Sequence, residues 1–213
     1  MALEELMNTN KSDYLIIGSG LAGLASALKL AQLGKVHLIT KDILSSANST
    51  WAQGGIAAVI SKEDSFESHI QDTLVAGAGL CNRNTVENYV TQAPERIKDL
   101  INWGVNFDKR KSHQTSDSFE MDLTKEGGHS YRRILHFEDQ TGLHIHSQVL
   151  KKVLENKNIT IWENTFAIDL ILNKQIDASD MSSTRCVGCY ALIKKTNLVE
   201  GFLAKEVILA TGG

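Results

Sequence analysis

A glycine-rich segment that directly follows a short apolar run constrains this chain most. Residues 13–17, Asp-Tyr-Leu-Ile-Ile, lead into Gly-Ser-Gly-Leu-Ala-Gly at 18–23, and an Ala- and Leu-rich stretch continues to position 33. This order predicts a buried strand, a tight turn and a helix that stops at Gly34. A second strand is predicted over 36–40, so the start of the chain forms a βαβ unit with a parallel strand pair. We therefore expect an α/β fold with a Rossmann-like parallel sheet.

The spacing of the three glycines has a mechanical meaning. The first allows a tight turn out of the strand, the second lets the backbone approach a pyrophosphate, and the third lets the helix pack closely on the strand. The free N–H groups at the helix N-terminus attract phosphate. The pattern follows a strand and opens a helix, which favours a dinucleotide site over a tight turn that binds nothing. The predicted contacts are Gly18, Ser19, Gly20, Leu21, Ala22 and Gly23.

The end of the second strand departs from the dinucleotide pattern. An Asp or Glu is expected there for the ribose hydroxyls, but the chain has Lys41, followed by Asp42. Lys41 is interpreted as a contact to a phosphate or ribose oxygen, and the alternative is a solvated lysine at a strand end. Spacing alone does not choose between FAD and NAD.

The rest of the chain alternates helices and strands without an internal repeat. Further helices are predicted over 66–75, 85–103 (with Pro94 starting or kinking a turn) and 142–156. Further strands are predicted over 159–162 and 166–172, and an antiparallel pair over 187–195 and 201–209. Polar loops are predicted over 45–55 and 173–184, and an exposed polar stretch over 109–122. We expect a flexible N-terminus over 1–12 and one portion of a domain over 13–213.

Composition excludes several classes of function. Hydrophobic residues make up 42% of 213 residues and the net charge is −3, which favours a globular protein without nucleic-acid or membrane partners. The polar N-terminus has no signal-peptide pattern, so a cytoplasmic location is expected. Three cysteines argue against a disulfide scaffold. Cys186 and Cys189 form a C-x-x-C spacing, interpreted as two small hairpin residues, and no metal site is predicted.

Two later motifs carry a resemblance to a known family. Residues 49–59, Ser-Thr-Trp-Ala-Gln-Gly-Gly-Ile-Ala-Ala-Val, resemble the flavin-contacting loop of the succinate dehydrogenase and fumarate reductase flavoproteins. Residues 126–136, Glu-Gly-Gly-His-Ser-Tyr-Arg-Arg-Ile-Leu-His, with Asp-Gln-Thr-Gly at 139–142, resemble the L-aspartate oxidase branch of that family. The resemblance extends from 13 to the last residue, and Ala-Thr-Gly-Gly at 210–213 resembles the strand that returns to the flavin.

This resemblance implies FAD as the cofactor. Dehydrogenase members attach FAD through a histidine four residues before the Ala-Gln-Gly-Gly segment, where this chain has Asn48. An amide is not nucleophilic enough to bond the flavin, so FAD is expected to bind noncovalently. The implied cofactor contacts, beyond the glycine segment and Lys41, are Asn48, Ser49, Thr50, Trp51, Ala52, Gln53, Gly54, Gly55, Phe166 and Ala167.

The resemblance also implies a reaction. L-aspartate would be oxidised to iminoaspartate, oxygen or fumarate would accept the electrons, and quinolinate synthase would use the product for NAD biosynthesis. Glu126 is expected to orient the substrate ammonium, Arg133 to hold a carboxylate, and His129 to act as an acid or base. The alternatives are a surface carboxylate for Glu126, a loop anchor or an Asp139 partner for Arg133, and a structural histidine.

Family members continue past the point where this chain stops. Residues 207–213 predict a strand that enters a loop, and the capping domain and the rest of the FAD domain have no counterpart here. We expect a fragment with little or no activity alone. A flavoprotein of the succinate dehydrogenase type, a non-catalytic FAD-binding module and an unstable pseudogene product remain as alternatives.

Overall fold

The computed structural model of the protein describes residues 9–111, 119–176 and 183–212. The chain divides into two compact units. Unit 1 contains residues 1–49 and 149–213, and unit 2 contains residues 50–148. The sequence predicted one portion of a domain over 13–213, and that assignment stays a prediction.

Unit 1 is built on a sheet that has six strands in the described part of the chain. The elements of unit 1 are β1 (Thr9–Ile17), α1 (Leu21–Leu30), β2 (Val36–Ile39), β8 (Ile159–Trp162), β9 (Thr165–Leu172), α5 (Asn173–Ile176), β10 (Cys186–Ile193) and β11 (Leu198–Leu209). The strand order is β8-β2-β1-β11-β10-β9. Neighbours among β8, β2, β1 and β11 run parallel, and β10 runs antiparallel to β11 and β9. The predicted α/β class, with a parallel sheet and an antiparallel hairpin, is confirmed.

The first strand and helix form for the reasons the sequence suggests. Leu15 and Ile16 in β1 are fully buried, as a central parallel strand requires. In α1 the buried residues are Gly23, Leu24, Ala27 and Leu28, which lie on one face at helical spacing. The helix ends at Leu30, three residues before the predicted end, and β1 begins at Thr9, four residues before the predicted start.

The antiparallel side of the sheet contributes a compact apolar cluster. Phe202 of β11 is fully buried and makes an edge-to-face ring contact with Trp162 of β8, with centroids 5.1 Å apart. Cys189 and Ala191 of β10 are also fully buried in this cluster. Cys186 and Cys189 both lie in β10, which forms a hairpin with β11, so the interpretation of the cysteine pair as two small hairpin residues is confirmed. A β-bulge between Cys186 and Gly188 interrupts the regular alternation of faces along β10.

Unit 2 combines two helices with short strands. Its elements are β3 (Ile56–Ala57), α2 (Phe66–Ala76), α3 (Arg83–Asn102), β4 (Lys109–Lys111), β5 (Phe119–Met121), β6 (Leu123–Thr124) and β7 (Ile134–Leu135). A further helix, α4 (Thr141–Leu154), crosses the boundary between the units. Strand β7 pairs antiparallel with both β3 and β6, and β4 pairs with β5.

Both long helices of unit 2 begin at side-chain caps. Ser65 accepts a hydrogen bond from the Ser68 N–H at the start of α2, and Asn82 accepts one from the Thr85 N–H at the start of α3. Pro94 lies inside α3 without ending it.

The two predicted loops and the predicted polar stretch contain regular structure. Residues 45–55 include short 3₁₀ turns over Leu44–Ser46 and Asn48–Trp51. The stretch 109–122 holds β4 and β5, and 173–184 begins with α5. Positions 112–118, 177–182 and 1–8 of the predicted loops and N-terminus lie outside the described residues.

Candidate functional site

The glycine segment of unit 1 forms a close-packed turn between β1 and α1. Gly18 has a φ of 115°, and a Cβ there would collide with the carbonyl of Ala210. A Cβ on Gly23 would collide with the carbonyl oxygen of Gly18. Gly20 differs, because nothing lies within 4 Å of its Cβ position. The first and third glycines are therefore required by the fold, and the second leaves open space beside the backbone, as a pyrophosphate contact requires.

A buried hydroxyl pair connects this turn to the end of β2. Ser19 Oγ and Thr40 Oγ1 lie 2.8 Å apart, and both residues are buried. Helix α1 begins after Gly20 with no side-chain cap among the described residues and no acidic residue in its first turn. Its first N–H groups and the positive end of its dipole therefore suit an anion.

Two predicted contacts from distant parts of the sequence lie close together at this end of the sheet. Lys41 is exposed and lies two residues after the end of β2. Thr165 N–H donates to Thr40 O at 2.8 Å, which places the start of β9, with Phe166 and Ala167, beside Lys41. Phe166 is 47% exposed. Lys41, Phe166 and Ala167 stay predicted contacts.

The segment that resembles a flavin loop begins in unit 1. Asn48 is exposed, and Ser49 Oγ is buried without a hydrogen-bond partner among the described residues. A buried hydroxyl without a partner is costly unless a ligand or water satisfies it. This hydroxyl and the open space at Gly20 fit a dinucleotide on unit 1.

The remainder of that segment lies in unit 2 and is exposed over 51–55, with Trp51 82% exposed. Its backbone is fixed at both ends. Gly142 N–H donates to Ala52 O at 2.9 Å, and a Cβ on Gly55 would collide with the carbonyl of Leu135 in β7. The loop therefore presents its backbone at a fixed position.

Glu126 lies beside this loop. The Cβ position of Gly54 is 3.7 Å from Glu126 Oε1. Glu126 begins a turn in which His129 N–H donates to Glu126 O at 3.2 Å, and Gly128 takes a φ of 85° that favours glycine. Within the described residues, no hydrogen bond or ion pair engages the exposed Glu126 carboxylate. Two motifs far apart in sequence therefore place a carboxylate next to a glycine loop.

Arg133 has a different environment from the one predicted. Its side chain is fully buried. Nε and Nη2 donate to the two oxygens of Asp64 at 2.8 Å each, and Nη1 donates to Asp72 Oδ2 at 2.7 Å. Ser68 Oγ lies 3.3 Å from Nη2. The prediction that Arg133 holds a substrate carboxylate is wrong, because its guanidinium is buried and already paired with two carboxylates. It anchors its loop, and its partners are not the Asp139 considered from sequence.

His129 lies against a second histidine that the sequence did not single out. The rings of His129 and His69 have centroids 5.9 Å apart, and Nδ1 of each is buried without a hydrogen-bond partner in the described chain. Burial lowers the pKa of His69, and the neighbouring Arg133 and His129 lower it further, against the opposing carboxylates Asp64 and Asp72. The acid–base role predicted for His129 stays a prediction.

The other charged neighbours of this region have structural partners. Arg132 donates to Leu123 O at 3.2 Å. His136 lies 3.1 Å from Asp108 through Nδ1.

Sequence reasoning missed the acidic residues of this cluster. Asp64 and Asp72 lie more than fifty residues before Arg133, in a loop and a helix that look polar and solvated in sequence. No spacing rule connects them to the later motif. A buried arginine needs carboxylate partners, but the sequence alone does not indicate which carboxylates pair with Arg133.

Neither a metal centre nor a membrane-spanning helix is found among the described residues. They contain no group of three or more His, Cys, Asp or Glu side chains suited to a metal ion. None of their helices is both long and apolar enough to cross a bilayer.

Comparisons with known proteins agree with the geometry. A family model described as FAD binding domain matches residues 13–213. The chain is 43% identical over 206 residues to a chloroplastic L-aspartate oxidase of Arabidopsis thaliana, covering 97% of this chain and 30% of that protein. It is 44% identical over 204 residues to an L-aspartate oxidase of Vibrio cholerae, covering 96% of this chain and 37% of that protein.

Solved structures show the same similarity. A mutant form of the quinol fumarate reductase subunit FrdA from E. coli superimposes with a TM-score of 0.85 at 28% identity, covering 97% of this chain and 33% of that one. The chain thus spans about a third of the length of the curated relatives and the solved structure it matches.

Proposed function

We propose that this chain, which belongs to the family of FAD binding domains, is the FAD-binding part of an enzyme that oxidises L-aspartate to iminoaspartate. One observation carries the choice of substrate: the free carboxylate of Glu126 lies beside Gly54 of the glycine loop. It does so in a chain 44% identical over 204 residues to an L-aspartate oxidase. Oxygen or fumarate is proposed as the electron acceptor.

The cofactor prediction, FAD, is confirmed by the family match. Gly18, Gly20 and Gly23 with the N-terminus of α1 are proposed to hold its pyrophosphate, and Ser49 supplies a buried hydroxyl that lacks a partner in the described chain. Lys41, Phe166 and Ala167 are proposed as further contacts on unit 1. Asn48 in place of a nucleophilic histidine supports noncovalent attachment.

When bound, FAD supplies a two-electron acceptor for the hydride on the substrate Cα. The chain's own residues contribute position and charge. In unit 2 the backbone over 52–55 is fixed by the contacts at Ala52 and Gly55, so it offers rigid N–H groups. Rigid groups hold a reacting pair in line without an entropy cost at the moment of reaction.

Glu126 is proposed to bind the α-ammonium of L-aspartate. A carboxylate that accepts from an ammonium makes a strong charge-assisted hydrogen bond. Its exposure leaves it accessible to a ligand. Arg133 takes no part in substrate binding in this proposal, since its donors face Asp64 and Asp72.

A second candidate is a flavoprotein of the fumarate reductase type, favoured by the TM-score of 0.85 with FrdA. The two candidates differ in substrate. A carboxylate such as Glu126 can bind the ammonium group of L-aspartate, whereas succinate has no ammonium group. Cytoplasmic location and delivery of the product to quinolinate synthase belong to the first proposal.

The test uses the chain and the whole gene product that carries it. The chain is titrated with FAD by flavin fluorescence and then acid-precipitated. The whole product, loaded with FAD, is mixed anaerobically with L-aspartate or succinate while flavin absorbance is followed. Oxygen is then admitted and peroxide is measured.

The expected result is flavin released into the acid supernatant and bleaching by L-aspartate but not by succinate. Glu126→Gln should retain FAD and lose most of the response to L-aspartate. Bleaching by succinate alone, or flavin that stays with the precipitate, would establish the second candidate. FAD binding without bleaching by either substrate would identify a non-catalytic module.

A further inference from the structure

We propose that Asp72 is a positioning residue for Glu126: it fixes the turn that carries Glu126 and so sets how well the substrate ammonium is bound. This inference rests on the function proposed above for Glu126. All the contacts that support it lie within unit 2.

The carboxylate of Asp72 fixes the end of the Glu126 turn. Ser130 donates its N–H to Asp72 Oδ2 and its hydroxyl to Asp72 Oδ1, each at 2.7 Å. A backbone and a side-chain bond to the two oxygens of one carboxylate restrict both the place and the orientation of Ser130. Burial opposes ionisation of Asp72, but the bonds from Ser130 and Arg133 lower its pKa overall. The carboxylate is therefore held in its charged, acceptor-only form.

Asp72 is itself held rigid from the other side. Arg133 Nη1 donates to Asp72 Oδ2 at 2.7 Å, while Arg133 is fixed by its two bonds to Asp64. The Asp72 side chain is only 14% exposed. Asp72 thus connects a rigid buried ion pair to the exposed turn, and it extends from helix α2, a better support than a loop.

Glu126 depends on this anchor because its own side chain has none. No bond within the described residues holds its carboxylate. Its position follows from the backbone of the turn, which is closed by the bond from His129 N–H to Glu126 O. Lys125, which precedes Glu126, also donates from Nζ to Ser130 O at 3.1 Å. Ser130 therefore contacts the residue before the turn as well as Asp72. A shift of Ser130 is therefore transmitted to Glu126.

The substitution Asp72→Asn tests the need for two acceptor oxygens. An amide has the same size but presents an NH₂ group, which would face a donor of Ser130 or Arg133. Ser130→Ala is milder, because it removes the bond to Asp72 Oδ1 and keeps the N–H bond to Oδ2. Glu67→Gln is the matched control, since Glu67 is an exposed acid on the same helix.

The experiment measures KM and kcat for L-aspartate in the FAD-loaded whole gene product. The single variants are Asp72→Asn, Ser130→Ala, Glu126→Gln and the control Glu67→Gln, which should leave both constants unchanged. Asp72→Asn and Ser130→Ala are also each combined with Glu126→Gln. We expect Asp72→Asn to raise KM about 10-fold, as a misplaced binding group does, with a smaller change in kcat. Ser130→Ala should act in the same direction but less. FAD affinity should be unchanged throughout.

The combined variants separate positioning from general support of the fold. If Asp72 acts through Glu126, then Asp72→Asn adds nothing to the KM of Glu126→Gln. Multiplied effects, an unchanged KM or a parallel loss of FAD affinity would overturn the inference. If Asp72→Asn does not fold, the cycle with Ser130→Ala decides in the same way. An unchanged KM in Glu126→Gln alone would instead overturn the proposed role of Glu126, and the inference with it.

Discussion

Arg133 and Asp64 form a bidentate ion pair in which both side chains are fully buried. Nε and Nη2 of the arginine each lie 2.8 Å from one carboxylate oxygen. A second carboxylate, Asp72, accepts from Nη1. This cluster connects helix α2 and the loop before it to the motif over 126–136, which is the part of unit 2 with the proposed function.

Removing the guanidinium should strongly destabilise unit 2. Arg133→Met leaves two carboxylates near each other without a cation, and breaking a buried pair by removing one partner costs about 3–5 kcal/mol. We expect a loss of this size in the free energy of unfolding, measured by urea denaturation. The control Arg83→Met removes exposed ion pairs with Glu67 and Glu87 and should change the midpoint little. A similar small change for Arg133→Met would contradict the structural role assigned to the cluster.

The glycines of the βα turn should separate folding from cofactor binding. Gly23→Ala places a Cβ against the carbonyl oxygen of Gly18, and overpacking of this kind costs about 1–3 kcal/mol. Gly20→Ala meets nothing within 4 Å, so it should leave the unfolding midpoint near that of the unaltered chain. Its methyl group occupies the space proposed for the pyrophosphate, and FAD affinity should fall about 10-fold or more. Full FAD affinity in Gly20→Ala would show that the phosphates bind elsewhere.

Stability should fall as the pH is lowered past about 6.5, partly because of His69. Burial holds the pKa of His69 below its ordinary value of 6.5. The unfolded chain therefore takes up a proton at a higher pH than the folded chain, and stability present above pH 6.5 is lost below it. His37, whose pKa is also lowered by burial, contributes in the same direction.

His69→Gln tests this contribution by urea midpoints measured between pH 7.5 and 5.5, a window chosen about the ordinary histidine pKa of roughly 6.5. The variant should show a shallower decline than the unaltered chain, and His37→Gln should do so independently. The pKa values of Asp13 and Asp72 are lowered from the ordinary value of 3.8, so these carboxyl groups affect stability only at a more acid pH than this window. An unchanged slope in His69→Gln would mean that this histidine titrates normally in the folded chain.

Cys189 should resist thiol reagents in the folded chain. It is fully buried, and burial raises its pKa to about 12, whereas the thiolate is the reactive form. Iodoacetamide at pH 8 should modify Cys189, identified by peptide mass spectrometry, only after denaturant is added. Cys81 and Cys186 are partly exposed and serve as internal controls. Rapid modification of Cys189 without denaturant would contradict its placement in the β-sheet core.

Local patterns in the sequence determined the βα turn and much of unit 1. The glycines at 18, 20 and 23 and the apolar run before them are contiguous, so their conformation depends on short-range sterics and helix geometry. The same holds for α2 and for the antiparallel pairing of β10 with β11, which agree with the predictions apart from a few residues at the ends. The motif over 126–136 also indicated a carboxylate of functional interest.

Only the tertiary structure decided what each charged side chain of that motif contacts. Arg133 and Glu126 are both charged residues of one short motif, yet Arg133 is buried between Asp64 and Asp72 while Glu126 stays exposed beside Gly54. The difference arises from residues about sixty to seventy positions away, which approach only when helix α2 packs in unit 2. Ion pairing depends on distance in space and on burial, and no local sequence pattern encodes either of these across such a separation.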